Sequence, residues 1–158
     1  DGVVLNYLVS PDYNNRAMDA LQKGAEKAGR SIDEIDRPQL VVCSVHEDRD
    51  TALSMARNMV AQYLGQQPHI MEASGVPKSL LDDVGQILTW PATHEQVEAA
   101  AKLVPDDIVQ MLTASGTAAE AREAVAGYMA NGCTSPVLYP LGDVYATIDA
   151  FAGWDHSS

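Results

Sequence analysis

Features that define several large classes of proteins are scarce or absent in this sequence of 158 residues. Basic residues are few: 10 Lys and Arg stand against 22 Asp and Glu, a formal net charge of -12 at pH 7. Nucleic acids and anionic membrane surfaces are bound through clustered Lys and Arg, so we expect neither as a partner. No apolar run approaches the roughly 20 residues that cross a bilayer, and no signal-peptide pattern is visible.

Cysteine is also scarce, with Cys43 and Cys133 far apart and each in or beside an apolar run. The sequence therefore predicts two buried free thiols and, because such thiols are typical of a reducing compartment, a cytoplasmic location. Common catalytic motifs are missing: there is no CxxC, HExxH, GxSxG, Walker phosphate loop or GxGxxG. The histidines lack metal-ligand spacing, so no metal site is predicted and no catalytic residue is assigned.

What the sequence does contain is an alternation of apolar runs and helical patterns. Residues 2–8, 39–45 and 136–139 are short apolar runs, and each predicts a buried strand. Amphipathic helices between strands favour parallel strands joined by right-handed crossovers. Three strands cannot close a barrel, which needs about eight, so they form either a small open sheet or part of a larger fold.

Polar residues and glycines mark the ends of the first helices. Ser10 as a cap predicts a helix over residues 11–28, which Gly29 ends in a left-handed conformation. Asp48 or Asp50 caps the next helix. Its apolar residues recur at helical spacing, and we expect this stripe to pack on the sheet: Ala52, Met55, Ala56, Met59, Val60 and Tyr63.

Residues 66–115 interrupt the alternation. Four short helices are predicted there, over residues 68–74, 78–88, 94–103 and 105–113, and no strand is predicted. In a strand–helix alternation this segment is a helical insertion, and such insertions often form a lid or a subunit contact.

The alternation resumes with a capping box, in which Thr117 is the cap and Glu120 lies three residues later. The last helix has three apolar residues on one face: Val144, Ile148 and Phe151. The tail over residues 154–158 is predicted to be frayed.

Polar residues at the ends of the predicted strands are the candidates for a site, because working groups in α/β folds lie at the C-terminal ends of strands. This rule selects Asn6, Tyr7 and Ser10, then Ser44, His46 and Glu47, then Tyr139, Pro140, Gly142 and Asp143. His46 contacts a ligand or is an exposed loop residue. The Gly142-Asp143 turn either holds an anion through backbone N–H groups or only shapes the chain.

Several segments resemble a known family. The first 13 residues, DGVVLNYLVSPDY, are similar to the ADGVLLN…SPEY segment of the luciferase-like monooxygenase superfamily. The nearest branch is that of the deazaflavin-dependent reductases, which includes methylenetetrahydromethanopterin reductase. The segments AGRS (28–31), ASGTAAE (114–120) and NGC…YPLG (131–142) also resemble that branch, in the same order, although Ala118 replaces the usual proline.

The resemblance implies a (β/α)8 TIM barrel, of which residues 1–158 are the C-terminal portion: strands six, seven and eight with their helices and the insertion of about residues 66–115. It also implies an oxidoreductase that transfers a hydride between a small organic substrate and an 8-hydroxy-5-deazaflavin coenzyme or FMN. On this basis Asn6, Ser44, His46, Tyr139 and Gly142 are expected at the cofactor.

Most of the family's site residues precede this segment, so we expect the chain alone to be inactive. An incomplete barrel exposes strand edges, which predicts a homo-oligomer or association with the missing part of the barrel. Two alternatives remain open at this point: a non-catalytic half-barrel that serves binding or assembly, and an unrelated small α/β binding domain.

Overall fold

The computed structural model describes residues 1–155; residues 156–158, the end of the tail predicted to be frayed, lie outside the described part. Within it the strands are β1 (Pro38–Val45), β2 (Ala114–Gly116) and β3 (Ser135–Pro140). The helices are α1 (Tyr13–Lys27), α2 (Arg49–Gln66), α3 (Pro68–Ala73), α4 (Lys78–Ile87), α5 (His94–Ala101), α6 (Asp106–Leu112), α7 (Ala118–Ala130) and α8 (Val144–Phe151). A 3-10 turn covers Ile32–Glu34.

β1 is the central strand of a parallel sheet with the order β2-β1-β3. It pairs with β3 from Pro38 opposite Ser135 to Cys43 opposite Pro140. On its other edge, its last three residues pair with β2. Both faces of this central strand are packed in hydrophobic clusters with helices, which explains the continuous apolar run. The predicted parallel α/β architecture is confirmed.

Residues 2–8 do not form the first strand that the sequence predicts. They make two isolated parallel bridges, Gly2 with Asp36 and Leu5 with Gln39. Beyond Leu5 the chain bends, and Leu8 adopts a left-handed φ of 51°. The prediction is wrong because a strand requires continuous pairing. Within residues 1–155 this segment pairs on one side only, through these two bridges. An apolar run in a sequence can predict burial, but it cannot predict whether a neighbouring strand is present.

The sequence also misses a strand. β2 consists of Ala114, Ser115 and Gly116, at the end of a region predicted to be entirely helical. These small residues have little intrinsic preference for a strand. The strand exists because β1 offers backbone groups to it, with Ser115 opposite Ser44.

The start of α1 differs from the prediction, but its end does not. Ser10 does not cap the helix: its Oγ is buried without a hydrogen-bond partner, and the chain makes a turn first, in which the N–H of Tyr13 donates to the carbonyl of Ser10 (3.1 Å) and that of Asn14 to the carbonyl of Pro11 (3.0 Å). The helix therefore begins at Tyr13. Gly29 ends it with a φ of 68°, as predicted.

The other helix signals are confirmed. Asp48 caps α2 by accepting the N–H of Asp50, and Thr117 with Glu120 forms the capping box of α7. The four helices predicted in the insertion are α3 to α6, each within two residues of its predicted ends. No helix within residues 1–155 is long and apolar enough to span a membrane.

The sheet lies between two groups of helices, because successive residues of β1 point to opposite faces. Val41, Cys43 and Val45 pack with residues of α7, and Met18 and Leu21 of α1 and Phe151 of α8 join that cluster. We call this the outer face. Val42 points the other way and packs in a cluster dominated by α2 and the insertion helices. We call this the inner face, and by register it includes Val137 and Tyr139 of β3.

Both cysteines are buried and free, as predicted. Burial raises the pKa of the Cys43 thiol to about 12. Trp154 contradicts the prediction of a frayed tail, since its ring packs edge-on against Phe151 at 5.4 Å between centroids.

One edge of the molecule leaves large apolar side chains exposed. We call it the β3–α8 edge; it consists of Val137, Tyr139, Val144, Tyr145 and Ile148. Val144 and Ile148 were predicted on one face of the last helix, and that face is about half exposed. Val4, on the segment beside the other edge of β1, is 75% exposed.

Candidate functional site

The C-terminal ends of β1, β2 and β3 lie along one edge of the sheet because the strands are parallel. Four of the predicted site residues are there: Ser44 and His46 at the end of β1, and Tyr139 and Gly142 at the end of β3. Asn6 lies apart from them. The bridge between Leu5 and Gln39 places it near Leu40, four residues or roughly 13 Å along β1 from Ser44.

Ser44 belongs to a group of buried hydroxyls between β1 and β2. Its Oγ is fully buried and has no hydrogen-bond partner among the described residues. Ser115 stands opposite it in the parallel pair. The hydroxyls of Ser115 and Thr113 share a hydrogen bond of 2.8 Å. Ser44 is thus the one member of the group with an unused hydroxyl.

His46 follows β1 and is exposed. Its backbone N–H donates to the carbonyl of Gly116 (3.2 Å), which fixes it beside the end of β2. Its Nδ1 accepts the N–H of Asp48 at 3.0 Å. Nε2 is therefore the ring nitrogen left for another partner.

Tyr139 and Gly142 lie at the end of β3. Tyr139 stands opposite Val42 on the inner face and is partly exposed. Gly142 has a φ of 76°, and a Cβ built on it would lie 2.6 Å from the Sδ of Met55. The glycine therefore permits a left-handed turn that α2 approaches closely.

The helix start that follows Gly142 does not offer free N–H groups for an anion. The Asp143 carboxylate accepts the N–H groups of Tyr145 (2.8 Å) and Ala146 (3.3 Å) and caps α8 itself. Of the two interpretations of this turn, the structure favours turn geometry over anion binding.

Asn6 and Tyr7 form the turn that joins the first segment to α1. The Oδ1 of Asn6 accepts the N–H of Tyr7 at 3.1 Å. The ring of Tyr7 packs against Tyr63 of α2, with centroids 5.1 Å apart. Burial, more than the neighbouring tyrosines, raises the pKa of Tyr63. This turn thus contacts the same helix that approaches Gly142.

A polar network holds α2, α6 and α7 together near the end of β2. The Nε of Arg49 donates to Glu120 at 2.9 Å, and its Nη2 donates to Gln110 at 2.7 Å. The hydrogen bond from the Thr117 N–H is the main reason that the pKa of Glu120 lies below its usual range, and Arg49 adds to it. The same ion pair raises the pKa of Arg49.

Sequence reasoning missed several of these residues. Gln39 is a polar residue at the start of the apolar run of β1, and its side chain donates a hydrogen bond to the carbonyl of Asn6. A polar residue in an apolar run was the only signal for this contact. Arg49 and Ser115 carry no local signal, because their partners are distant in sequence: Arg49 and Glu120 are 71 residues apart.

The strand ends offer the imidazole of His46 and the phenol of Tyr139 beside an apolar face, with the Ser44 hydroxyl buried and the Asn6 amide farther along β1. Such a surface suits an organic molecule that packs by its apolar area and is oriented by a few hydrogen bonds. Within residues 1–155 no cluster of three or more His, Cys, Asp or Glu side chains is placed to hold a metal ion.

Comparison with known proteins gives consistent matches. A family model described as luciferase-like monooxygenase matches residues 1–135. A 5,10-methylenetetrahydromethanopterin reductase of Archaeoglobus fulgidus is 30% identical over 144 residues, which are 90% of this chain and 43% of the relative. The reductase of the same name from Methanopyrus kandleri is 24% identical over 90% of this chain and 40% of the relative.

Two solved structures share the fold. The coenzyme F420 dependent tetrahydromethanopterin reductase of Methanopyrus kandleri matches with a TM-score of 0.79 and 21% identity over 95% of this chain and 43% of that chain. An F420-dependent secondary alcohol dehydrogenase, in complex with an F420-acetone adduct, matches with a TM-score of 0.61 and 19% identity over 96% of this chain and 40% of that chain.

The chain spans less than half the length of the relatives it matches. Its parallel strands and helices are accordingly part of a TIM barrel. Since the family model covers most of the sequence, the chain belongs to the luciferase-like monooxygenase family.

Proposed function

We propose that this chain is the C-terminal portion of an oxidoreductase that transfers a hydride between a deazaflavin coenzyme and a small organic substrate in the cytoplasm. One observation carries the proposal. In a chain of this family, polar side chains gather at the C-terminal ends of parallel strands beside a sheet face that stays partly open. The mouth of a TIM barrel is the place where such enzymes bind their ligands.

The choice of a deazaflavin over FMN is supported by the two similar solved structures, which are of enzymes dependent on coenzyme F420, a deazaflavin. When bound, this coenzyme supplies the hydride chemistry, and the protein orients and shields the reacting groups. The reductases among the relatives make methylenetetrahydromethanopterin the first substrate to test.

The inner face has properties that a flat ring system requires. Val137 is 51% exposed, and Tyr139 lies beside it on the same face. An apolar face bordered by an aromatic ring stabilises a flat heteroaromatic ring by packing. The unpartnered Ser44 hydroxyl is a second feature that fits, because a buried hydroxyl without a partner is costly unless a ligand or water bonds to it.

In this proposal each of the five residues has a distinct role. Tyr139 packs against the coenzyme ring, and the Nε2 of His46 and the amide of Asn6 form hydrogen bonds at the rim. Ser44 bonds from beneath the surface. Gly142 contributes a turn without a side chain, which leaves room at the end of β3.

The proposal also requires a partner for the exposed edges. The β3–α8 edge and Val4 are apolar and lie on either side of the sheet. Unpaired strand edges and exposed apolar patches of this kind are normally covered in a folded protein. We propose that the remaining strands of the barrel cover them and that the chain alone self-associates through them and is inactive.

Titration of the purified chain with the deazaflavin coenzyme tests the proposal, with coenzyme fluorescence as the signal and FMN in a parallel titration. We expect saturable deazaflavin binding and weaker FMN binding. Tyr139→Ala is expected to weaken binding about fivefold, because the loss of a well-packed aromatic contact costs about 1 kcal/mol. Tyr145→Ala is the matched control, since Tyr145 is a second exposed tyrosine that lies on α8 and not on a strand.

Two results would contradict the proposal. One is the absence of deazaflavin binding both by the chain alone and by the chain mixed with the N-terminal part of the Archaeoglobus reductase. The other is equal weakening by the two tyrosine variants. Stable assembly with that N-terminal part without any coenzyme binding would favour the second candidate, a non-catalytic half-barrel module, for which the exposed edge is the supporting observation.

A further inference from the structure

The turn that carries Asn6 is held from behind by a pair of buried amides. Gln39 and Asn14 are buried almost completely. The Nδ2 of Asn14 donates to the Oε1 of Gln39 (2.8 Å), and the Nε2 of Gln39 donates back to the Oδ1 of Asn14 (3.2 Å). The second proton on that Nε2 is donated to the backbone carbonyl of Asn6 at 2.6 Å.

A second buried donor holds the other end of the turn. The hydroxyl of Tyr128 in α7 donates to the carbonyl of Val9 at 2.7 Å. Tyr128 and Val9 are both buried, and burial raises the pKa of the tyrosine, so this hydroxyl stays protonated at neutral pH. The turn between Asn6 and Val9 is thus fixed at both ends by side chains from other elements.

Between these two anchors the backbone is strained. Leu8 is buried and adopts a φ of 51°, a conformation that costs a residue with a branched side chain of this kind about 1–2 kcal/mol. Such a conformation persists only where the surrounding structure imposes it. Without the anchors, the chain after Leu5 would relax toward extended backbone and move Asn6 and Tyr7.

We propose that Gln39 is a positioning residue: through its hydrogen bond to the Asn6 carbonyl it holds the strained turn that sets Asn6 at the coenzyme. The placement at the coenzyme rests on the proposed function, whereas the anchoring of the turn does not. Asn14 orients the Gln39 amide, and Tyr128 completes the anchor at Val9.

Two variants separate this role from simple core packing. Gln39→Met removes the donor to Asn6 while keeping a side chain of similar size. Asn14→Leu is the matched control, because it breaks the same amide pair but leaves the Gln39 Nε2 free to donate to Asn6. Each variant leaves one amide of the pair without its partner, so we expect comparable losses of overall stability in urea unfolding.

Backbone hydrogen exchange of residues 6–10, measured on the whole chain by mass spectrometry, is the first measurement. We expect at least tenfold faster exchange in this peptide for Gln39→Met than for Asn14→Leu. The second measurement is deazaflavin affinity, which we expect to fall about tenfold for Gln39→Met and less than threefold for Asn14→Leu, since only the first variant loses the hydrogen bond to Asn6.

Equal exchange in the two variants would overturn the proposal, and so would equal affinity in the presence of unequal exchange. If the wild-type chain binds no deazaflavin, the proposed function fails, and exchange alone decides whether Gln39 anchors the turn. If Gln39→Met does not fold, Tyr128→Phe takes its place, because it removes the other anchor with the loss of one oxygen atom and should accelerate exchange in the same peptide.

Discussion

Two regions of the molecule differ in how completely their apolar residues are covered. One is the insertion side, by which we mean α2 and the insertion helices α3 to α6, and the other is the β3–α8 edge. On the insertion side, α2 buries Leu53, Val60 and Leu64 completely beneath the helices that follow it. At the β3–α8 edge, Val137 and Ile148 are 51% and 55% exposed. Both regions are rich in apolar residues, yet only one of them forms a closed core.

The difference shows which part of this partial barrel has its apolar side chains covered by other residues of the same chain. The insertion and α2 supply most of one buried core, which Leu8, Val9 and Val42 complete from outside that stretch. β3 and α8 use their outer faces in the second core, through Leu138 and Ala150, and leave the opposite faces for something else. An exposed apolar patch of this kind is typical of a contact surface.

Substitution of a core leucine is expected to have the largest effect. Leu53→Ala removes three carbon atoms from a fully buried site in α2 and leaves a cavity, so we expect the free energy of unfolding to fall by about 2–5 kcal/mol. Val137→Ala, at the open edge, is expected to change it by less than about 0.5 kcal/mol. Urea unfolding followed by circular dichroism measures both, and similar values for the two variants would show that the edge is covered in solution.

Gly142 connects the two regions, and its replacement is expected to have an intermediate effect. Gly142→Ala forces a left-handed conformation on alanine, at about 1 kcal/mol, and brings a methyl group against the Sδ of Met55. Gly153 has a similar φ of 66° and open space around it, so Gly153→Ala isolates the backbone contribution.

We therefore expect Gly142→Ala to lower the free energy of unfolding by more than Gly153→Ala does. In the double variant Gly142→Ala, Met55→Ala the excess should disappear, because the colliding sulfur is gone. Equal effects of the two single glycine variants in urea unfolding would mean that α2 does not press on the β3–α8 turn.

Most of the helices could be predicted from the sequence, because their signals are local. Thr117 and Glu120 are three residues apart, and a positive φ at Gly29 needs only its own missing side chain. The segment of residues 2–8 and β2 could not be assigned correctly, because a strand depends on a partner elsewhere in the chain. The apolar run predicted a buried strand, but Val4 is 75% exposed, and nothing in the run shows that its pairing stops at Leu5.

The candidate site shows the same division between residues with a local signal in the sequence and residues whose contacts are distant in the chain. The rule that strand ends carry function selects Ser44 and Tyr139 without any knowledge of contacts. It cannot select Gln39, whose amide meets Asn14 across 25 residues and Asn6 across 33. Its position within β1 suggested only a buried strand residue, and its role appears once the backbone carbonyl that it supports is known.

The free energy of unfolding is expected to fall at acidic pH in part because of Glu120, which joins α7 to Arg49 of α2 and Gln110 of α6. Hydrogen bonds from Thr117 and Arg49 hold the pKa of Glu120 below its usual range. A carboxyl whose pKa is lower in the folded chain contributes stability above its unfolded pKa of about 4.3, and this contribution is lost as the pH falls further. Glu120 is partly exposed, so we expect less than about 1 kcal/mol.

The measurement is the free energy of unfolding of wild type and Glu120→Gln between pH 7 and pH 3. The two curves should converge as the pH falls, because protonation removes in wild type what the substitution removes already. Asp36→Asn is the counterpart beside β3, where Thr134 and Ser135 lower the pKa of Asp36. A constant gap between the wild-type and Glu120→Gln curves would mean that Glu120 acts by hydrogen bonding alone, without its charge.

The smallest effect on stability is expected when charged residues replace exposed apolar residues. These variants compare the β3–α8 edge with the insertion side through their effect on self-association. Ile148→Lys places a charge at the β3–α8 edge. Leu103→Lys is its matched control, because Leu103 lies between α5 and α6 and is 41% exposed. Both should change the free energy of unfolding by less than about 0.5 kcal/mol. Only Ile148→Lys should lower the average mass of the chain in sedimentation at rising concentration, because a charge beside an open strand edge opposes pairing with another copy. An equal decrease in both variants would trace association to general surface hydrophobicity, and the β3–α8 edge would then have no special part in assembly.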